Sequence, residues 1–557
     1  MENKPWYRSY PPEVPKTIAY EKITVPQALT RTAQRFGGRT ALNFMGSRIS
    51  YRKLEEMVNR FASALLDLGV RKGDKVALAM PNLPQTIVAN LAIMRIGAVA
   101  VQNNPLYTER ELAYQLNDSD SKIIITLTLL VPRIEKIKSQ TKLKKLIACN
   151  INTYLPPVKR FMFPYVKKAM YKKIVSSGDV LTFEDCMRGR PKNSPADGST
   201  WGDLAALIYT GGTTGVSKGV MLSHANLSCN VQQVVNWIHI LEPGKDAMVG
   251  TFPAFHSAGF TVGQNVCVWL GLQHHLIPRP DPDGIIDIIR KYRPTVIPAV
   301  PTIFVGLLNN PRFRSMDLSF VKGFGSGAAP LAAETIRDLT AITGGVVFEA
   351  YGLTESTCFC AMTPIGGVVK PGTVGVPVPD TDIKIVDLET GKKEMPTGQP
   401  GEVLIRGPQI MMGYYKRDDE TKKVMRDGWF CTGDIGVFDD EGYLTLVDRK
   451  KDLIIASGYN IYPVEVDGVL MGHPKILEAC CIGVPDGYRG ETVKAFVVVK
   501  PGETLTQDEV VGYCKKHLAA YKVPTIIEFI DDLPKSGVGK ILRRKLKEME
   551  GEKAGTK

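Results

Sequence analysis

Apolar and polar positions alternate in two rhythms through the first third of the chain. From Ser50 to Gly69, Leu54, Val58, Phe61, Ala62, Leu65 and Leu66 recur at helical spacing, and Gly69 stands where a helix would stop. Lys75-Val76-Ala77-Leu78-Ala79-Met80-Pro81 reads as a short buried strand. The pattern then predicts a helix over 84–96, a strand over Ala98-Val99-Ala100-Val101, a helix over Thr108–Leu116 and a strand over Lys122-Ile123-Ile124-Ile125-Thr126. Strands interleaved with helices imply a mostly parallel sheet covered on both faces. The alternation resumes after about residue 200, so two such sheets are expected. From about 370 to 447 short apolar runs are broken by Pro371-Gly372, Glu441-Gly442 and similar pairs, the chemistry of hairpins and small barrels. A charged stretch, Asp448-Arg449-Lys450-Lys451-Asp452, then leads into mixed strand and helix. The expected fold is α/β: a large N-terminal domain, 1–448, of two doubly wound αβ sheets plus a small β-barrel-like region, and a smaller α+β C-terminal domain, 449–557.

Composition narrows the classes. With 557 residues, 44% hydrophobic and 23% charged, the chain has globular content rather than that of a disordered protein. No stretch reaches the roughly 20 apolar residues of a spanning helix, and the start, Met1-Glu2-Asn3-Lys4-Pro5-Trp6, lacks the apolar core of a secretion signal. Ten cysteines without a Cys-x-x-Cys pair suit a reduced, cytoplasmic setting rather than a disulfide or metal framework. The net charge of +13 is concentrated: residues 136–173 hold eleven Lys/Arg and no Asp or Glu. One basic segment on a nearly balanced chain argues for a local surface role and against a nucleic-acid partner.

The densest chemical signal is Tyr209-Thr210-Gly211-Gly212-Thr213-Thr214-Gly215-Val216-Ser217-Lys218-Gly219, following the apolar strand Leu204–Ile208. Glycines let successive backbone N–H groups converge on phosphate oxygens, while hydroxyls and an ammonium add donors. It is not a Walker A loop, because Ser217 precedes the lysine and Gly219 follows it.

This run closely resembles the phosphate loop of the adenylate-forming enzymes: acyl-CoA synthetases, luciferases and peptide-synthetase adenylation domains. Four further motifs follow in the family's order: Phe348-Glu349-Ala350-Tyr351-Gly352-Leu353-Thr354-Glu355, Thr432-Gly433-Asp434, Asp448-Arg449-Lys450-Lys451 and Pro534-Lys535-Ser536-Gly537-Val538-Gly539-Lys540. The resemblance implies binding of ATP, Mg2+ and the co-substrate coenzyme A. Thr210, Gly211, Gly212, Thr213, Thr214, Gly215 and Lys218 would cradle phosphates. Gly327, Ala328 and Ala329, with Glu349, Ala350, Tyr351, Gly352 and Thr354, would line the adenine pocket, Tyr351 stacking on the base. Thr213 and Glu355 would form the magnesium site, magnesium being a hard cation that needs oxygen ligands. Asp434 would accept hydrogen bonds from the ribose, with Arg449 nearby. Lys540 would lie across the carboxylate and α-phosphate and offset charge in the first step. Lys451 would be the hinge of a mobile C-terminal domain whose rotation brings Gly458 to the pantetheine passage. Catalytic roles are thus expected for Lys540, Glu355, Thr213 and His256.

The Tyr-Thr-Gly-Gly-Thr-Thr-Gly form and the stretch Asp427–Lys451 resemble bacterial long-chain enzymes. The expected reaction is therefore ATP-dependent activation of a medium- to long-chain fatty acid to acyl-AMP, then thioesterification with coenzyme A. An aryl- or branched-acid ligase, a carrier-loading ligase and an inactive fatty-acid-binding relative are the competing readings. His256, in Pro253-Ala254-Phe255-His256-Ser257, resembles a residue beside the acyl carboxylate. A helix over Asn226–Ile238, with Val231, Val234, Val235 and Trp237, would wall an acyl tunnel. In the basic segment 159–174, Met162, Val166, Met170 and Ile174 are spaced by four. A helix starting near Pro164 would lay them on an anionic bilayer, giving peripheral contact with the inner face of the cell membrane. A homodimer is a further expectation.

Overall fold

The alternation of strands and helices is realised twice. The structure, a computed structural model, describes residues 4–193, 195, 197–210, 217–456, 459–536 and 540–555. It divides into two compact units: Met1–Asp382 with Arg406–Gly428, and Ile383–Ile405 with Trp429–Lys557.

The first unit holds both large sheets. In an eight-stranded sheet the strands Leu204–Thr210, Val99–Asn103, Lys75–Ala79, Ile123–Leu127, Lys145–Cys149 and Val180–Thr182 lie side by side and run parallel. Lys218–Ser223 and Gly413–Tyr414 extend one edge antiparallel. In a nine-stranded sheet, Val346–Tyr351, Gly323–Ser326, Val296–Ala299, Ala247–Gly250, Gln273–Leu276 and Thr40–Phe44 form a parallel centre. Parallel strands need covering on both faces, which explains their unbroken apolar runs.

The helices fall within a few residues of their sequence signals. Tyr51–Asp67 buries Leu54, Val58, Phe61, Ala62 and Leu65. Ser50 accepts the Lys53 N–H at 3.2 Å as its N-cap, and Gly69 has φ +86° at its exit. Pro84–Arg95 is buried on every side. Its polar residues serve as ties: Asn90 Nδ2 donates to Gln264 Oε1 at 2.9 Å, and Gln102 Nε2 donates to Asn90 Oδ1 at 2.8 Å. Buried amides need such partners, and Asn90 both donates and accepts here. Arg95, also buried, pairs with Glu55 at 2.9 Å.

The basic segment departs from its predicted form. Its helix is Pro157–Val166, with Pro164 inside its last turn, and a 3-10 turn Lys168–Met170 follows. Pro157 at the first position presets the helical φ, and Lys167 leaves the helix at φ −119°. Ile174 lies beyond both elements and packs against the eight-stranded sheet's core, so the four-residue spacing does not trace one helix face.

The second unit joins two smaller sheets. Asp382–Val386, Gly401–Arg406, Trp429–Phe438 and Leu444–Arg449 make an antiparallel sheet from the hairpin-rich region. In the C-terminal region Tyr459–Ile461, Ile454–Ala456, Gly490–Val499 and Ile476–Asp486 pair antiparallel, with Ile526–Phe529 added parallel. Helices Pro463–Met471 and Gln507–His517 contribute Val466, Leu470, Val510 and Cys514 to its core. A large α/β part and a smaller α+β part are as expected, but the sheet of the hairpin-rich region groups with the smaller part, not the larger. All ten cysteines are buried as thiols, and no described helix is long and apolar enough to cross a membrane.

Candidate active site

The described ends of the phosphate-loop run lie on two neighbouring strands. Its flanking strands are antiparallel, with Thr210 opposite Lys218 and Tyr209 opposite Gly219; Gly211, Gly212, Thr213, Thr214 and Gly215 lie outside the described residues. Lys218 pairs with Glu420 at 2.6 Å and sits 5.0 Å above the Tyr414 ring. The Tyr414 hydroxyl donates to Glu355 Oε1 at 2.8 Å. A lysine of the phosphate run and the expected metal-ligating carboxylate are thus held from the same tyrosine. Burial and the Glu355 charge raise the Tyr414 phenol, so it remains a donor. Lys218 draws the Glu420 carboxyl down to about 2. Glu420 and Tyr414 are residues that motif reading missed; nothing at 414–420 marks them as partners of residues so distant in sequence.

The segments expected to line the adenine pocket lie at the ends of two neighbouring parallel strands of the nine-stranded sheet, Ser326 standing beside Glu349. Ligands of α/β sheets bind beyond the carboxyl ends of strands, where these segments lie. Gly327 is buried and Ala328 and Ala329 are exposed, Ala328 at a left-handed φ of +71°. Glu349 is buried beneath this turn and accepts the Leu331 N–H at 2.9 Å. Loss of solvent pushes its carboxyl up to about 7. Its carboxylate therefore secures the turn that carries 327–329. Ala350 is half-buried and Tyr351 buried. A side chain at Gly352 would meet the Cys358 carbonyl oxygen at 1.5 Å, so the turn after Tyr351 admits only glycine. Thr354 is buried, its hydroxyl 3.5 Å from that of Ser257.

His256 is half-buried in the turn before a π-helical run, Gly259–Val266; its Nδ1 accepts the Ala258 N–H at 3.3 Å. π-helical turns mark functional sites more often than chance. This run supplies Val262 to an apolar cavity with Met248, Phe252, Val296, Phe348 and Phe359, closed down to about 20 Å³. Gly325, Gly327 and Ala350 also line it, so it adjoins the adenine-pocket segments. The helix expected to wall a tunnel is His224–Trp237. Val231, Val234 and Trp237 are fully buried within the unit, and its neighbour Ile238 is the residue that reaches the cavity.

In the second unit Asp434 and Arg449 are cross-strand partners and pair at 3.0 Å. Lys540 has an exposed residue surface, yet its ammonium is crowded by protein. That desolvation, then Arg449, push it down to about 8; Lys451 and Arg543 add to the fall and Asp434 opposes it. Lys451 is lowered too, chiefly by desolvation. Lys540, Asp434, Arg449 and Lys451 thus form one electrostatic neighbourhood. Arg543, which motif reading did not select, is anchored there by Asp467. Gly458 lies outside the described residues; Tyr459, next to it, stacks on Tyr521 at 4.7 Å.

Residues 29–415 match the family model of the AMP-binding enzyme and residues 465–540 its C-terminal domain. The chain belongs to the AMP-binding enzyme family. Among curated AMP-binding relatives it is 41% identical, over 99% of both chains, to the long-chain-fatty-acid–CoA ligase of Bacillus subtilis. It is 39% identical, over 98% of both, to that of Escherichia coli O6:H1. Among solved structures it resembles ATP-bound MatB from Rhodopseudomonas palustris, with TM-score 0.83 and 31% identity over 95% of this chain and 99% of that one. It also resembles a fatty acyl CoA synthetase of Mycobacterium tuberculosis, with TM-score 0.72 and 28% identity over 94% and 98%. The residues of this AMP-binding enzyme suit magnesium. Among the described residues no three His, Cys, Asp or Glu gather into a metal cage. Glu355, oriented by Tyr414, is an oxygen donor of the kind a hard cation takes.

Proposed function

We propose that this AMP-binding enzyme is an ATP-dependent fatty-acid:coenzyme A ligase acting on medium- to long-chain acids. The observation that carries the reading is the end-to-end likeness to long-chain-fatty-acid–CoA ligases. The apolar lining of Met248, Phe252, Val262, Val296, Phe348 and Phe359, beside the segments assigned to adenine, supports it. At about 20 Å³ the cavity holds little more than one water, so an acyl chain enters by parting these side chains.

In the first step a carboxylate oxygen of the acid attacks the α-phosphorus of ATP. The bond to the β-phosphate oxygen breaks, giving acyl-AMP and pyrophosphate. Tyr351 stacks on adenine, Asp434 accepts from the ribose hydroxyls while holding Arg449, and Thr210 to Lys218 enclose the phosphates. The Lys540 ammonium offsets the negative charge that gathers between carboxylate and phosphate. Magnesium, held by Glu355 and Thr213, would supply charge neutralisation at the phosphates. His256 borders the acyl carboxylate. In the second step the coenzyme A sulfur attacks the acyl carbon. The carbon–oxygen bond to AMP breaks, AMP leaves, and the thiol proton passes to solvent. We place the catalytic domain division at 448/449, the C-terminal domain turning about Lys451 between the steps and bringing Gly458 to the pantetheine arm. A peripheral membrane contact through 159–174 belongs to this reading, since such acids are stored in bilayers.

The test is acyl-CoA and AMP formation over acids from acetate to oleate, with benzoate and coumarate included. A maximum at medium or long chains that requires coenzyme A supports the proposal. A maximum at aromatic acids, or pyrophosphate release without thioester, overturns it.

A further inference from the structure

The helix Pro157–Val166 buries none of its residues, although six of its ten are large and apolar. Val158 is 76% exposed, Phe161 70%, Tyr165 64% and Val166 65%. A surface helix normally turns such side chains inward. Arg160, Phe161, Pro164 and Tyr165 also line an open groove of about 570 Å³, together with Leu155 and Glu184. A hydrogen bond from Asn152 Nδ2 to the Arg160 carbonyl, 3.2 Å, ties the helix down.

Charge surrounds these apolar groups. Arg160, Lys167, Lys168, Lys172 and Lys173 form no ion pair among the described residues. The nearby acids are committed elsewhere. Asp179 serves Lys138 and Lys145, Asp185 serves Ser176 and Thr182, and Glu184 accepts from Thr153.

We propose that Pro157–Val166 is an insertion helix for anionic bilayers. Val158, Phe161, Tyr165 and Val166 enter the acyl boundary, and the cations from Arg160 to Lys173 rest among lipid phosphates. A nucleic-acid backbone would satisfy the cations but offer the exposed apolar groups nothing. A bilayer satisfies both, because anionic headgroups overlie hydrocarbon. This deepens the membrane contact proposed above and rests on it, adding that apolar insertion, not charge alone, holds the protein.

The experiment is co-sedimentation of the full-length protein with vesicles of phosphatidylcholine alone or mixed with phosphatidylglycerol. Binding is expected to the anionic vesicles and to weaken with salt. Phe161→Ala with Tyr165→Ala should lower partitioning about tenfold or more, from two aromatic side chains left in water. Lys167→Glu with Lys168→Glu should lower it as well and flatten the salt dependence. Both variants should turn over a soluble medium-chain acid at the parental rate, since none of these residues belongs to the active site. Full retention by the alanine pair, with loss in the glutamate pair, would overturn insertion and leave an electrostatic contact. Equal binding to neutral vesicles, or none to either, would overturn the anionic-bilayer proposal. If the alanine pair instead converted a dimer to a monomer, the patch would belong to a second copy of the chain. A wild-type protein that makes no acyl-CoA would remove the ligase reading without touching these binding results.

Discussion

In the proposed first step the Lys540 ammonium is both suited to offset charge and sensitive to pH. Crowding and neighbouring cations lower it to about 8, so it is charged below that pH and neutral above it. Acyl-AMP formation should therefore fall as pH rises through about 8, measured as pyrophosphate release. Lys540→Ala should slow that half-reaction about 10²- to 10³-fold, the loss seen for a single charge-stabilising donor. Thioester formation from supplied acyl-AMP should survive the change. Tyr414 acts at one remove, through its 2.8 Å bond to Glu355. Tyr414→Phe should raise the magnesium concentration needed for half-maximal ATP binding about tenfold or more, the worth of one hydrogen bond to a carboxylate. Titration calorimetry with and without the metal would read it. Glu349 carries the opposite sign to a salt-bridged acid. Its folded value of about 7 lies above the ordinary 4.5, so the native state binds the extra proton and stability declines as pH rises between the two. Glu349→Gln, which can still accept the Leu331 N–H, should flatten that decline in melting curves taken across this range.

At the scale of elements, the short connections do the positioning. Gly352 passes so close to the Cys358 carbonyl that its turn sets where Tyr351 and Glu355 lie. The π-helical run Gly259–Val266 similarly decides that Val262 reaches the apolar cavity. Val262→Phe should therefore cut kcat/KM for long acids far more than for short ones, a chain-length profile providing the check. Equal loss for all lengths would show that the acyl chain lies elsewhere. Secondary structure in this part was readable because the signals are local. Ser50, the apolar spacing of Leu54 to Leu65 and Gly69 together specify one helix. The basic helix was misplaced for an equally local reason: Pro157 and Pro164 are both credible first-turn prolines, and what separates them is the break at Lys167.

For the whole molecule, the proposed two-step reaction includes a change of arrangement between its steps. If the division at 448/449 governs it, Lys451→Pro, which fixes φ at the proposed hinge, should depress thioester formation more than adenylation, measured as separate half-reactions. The ordered motifs were legible along the chain because they are contiguous: the phosphate run, the segment Phe348–Glu355 and the Asp448–Lys451 stretch each carry their chemistry in a few neighbouring residues. The sequence by itself determined the two-sheet α/β plan, the strand and helix order and the candidate nucleotide residues, because hydrophobic period and backbone chemistry act over short distances. What comes from long-range packing is that Glu420 holds Lys218, that Tyr414 orients Glu355, that Glu349 secures the turn before Leu331, and that Phe161 and Tyr165 stay exposed. Each of those depends on which distant segments the fold brings within hydrogen-bonding or packing distance, and no local pattern encodes that.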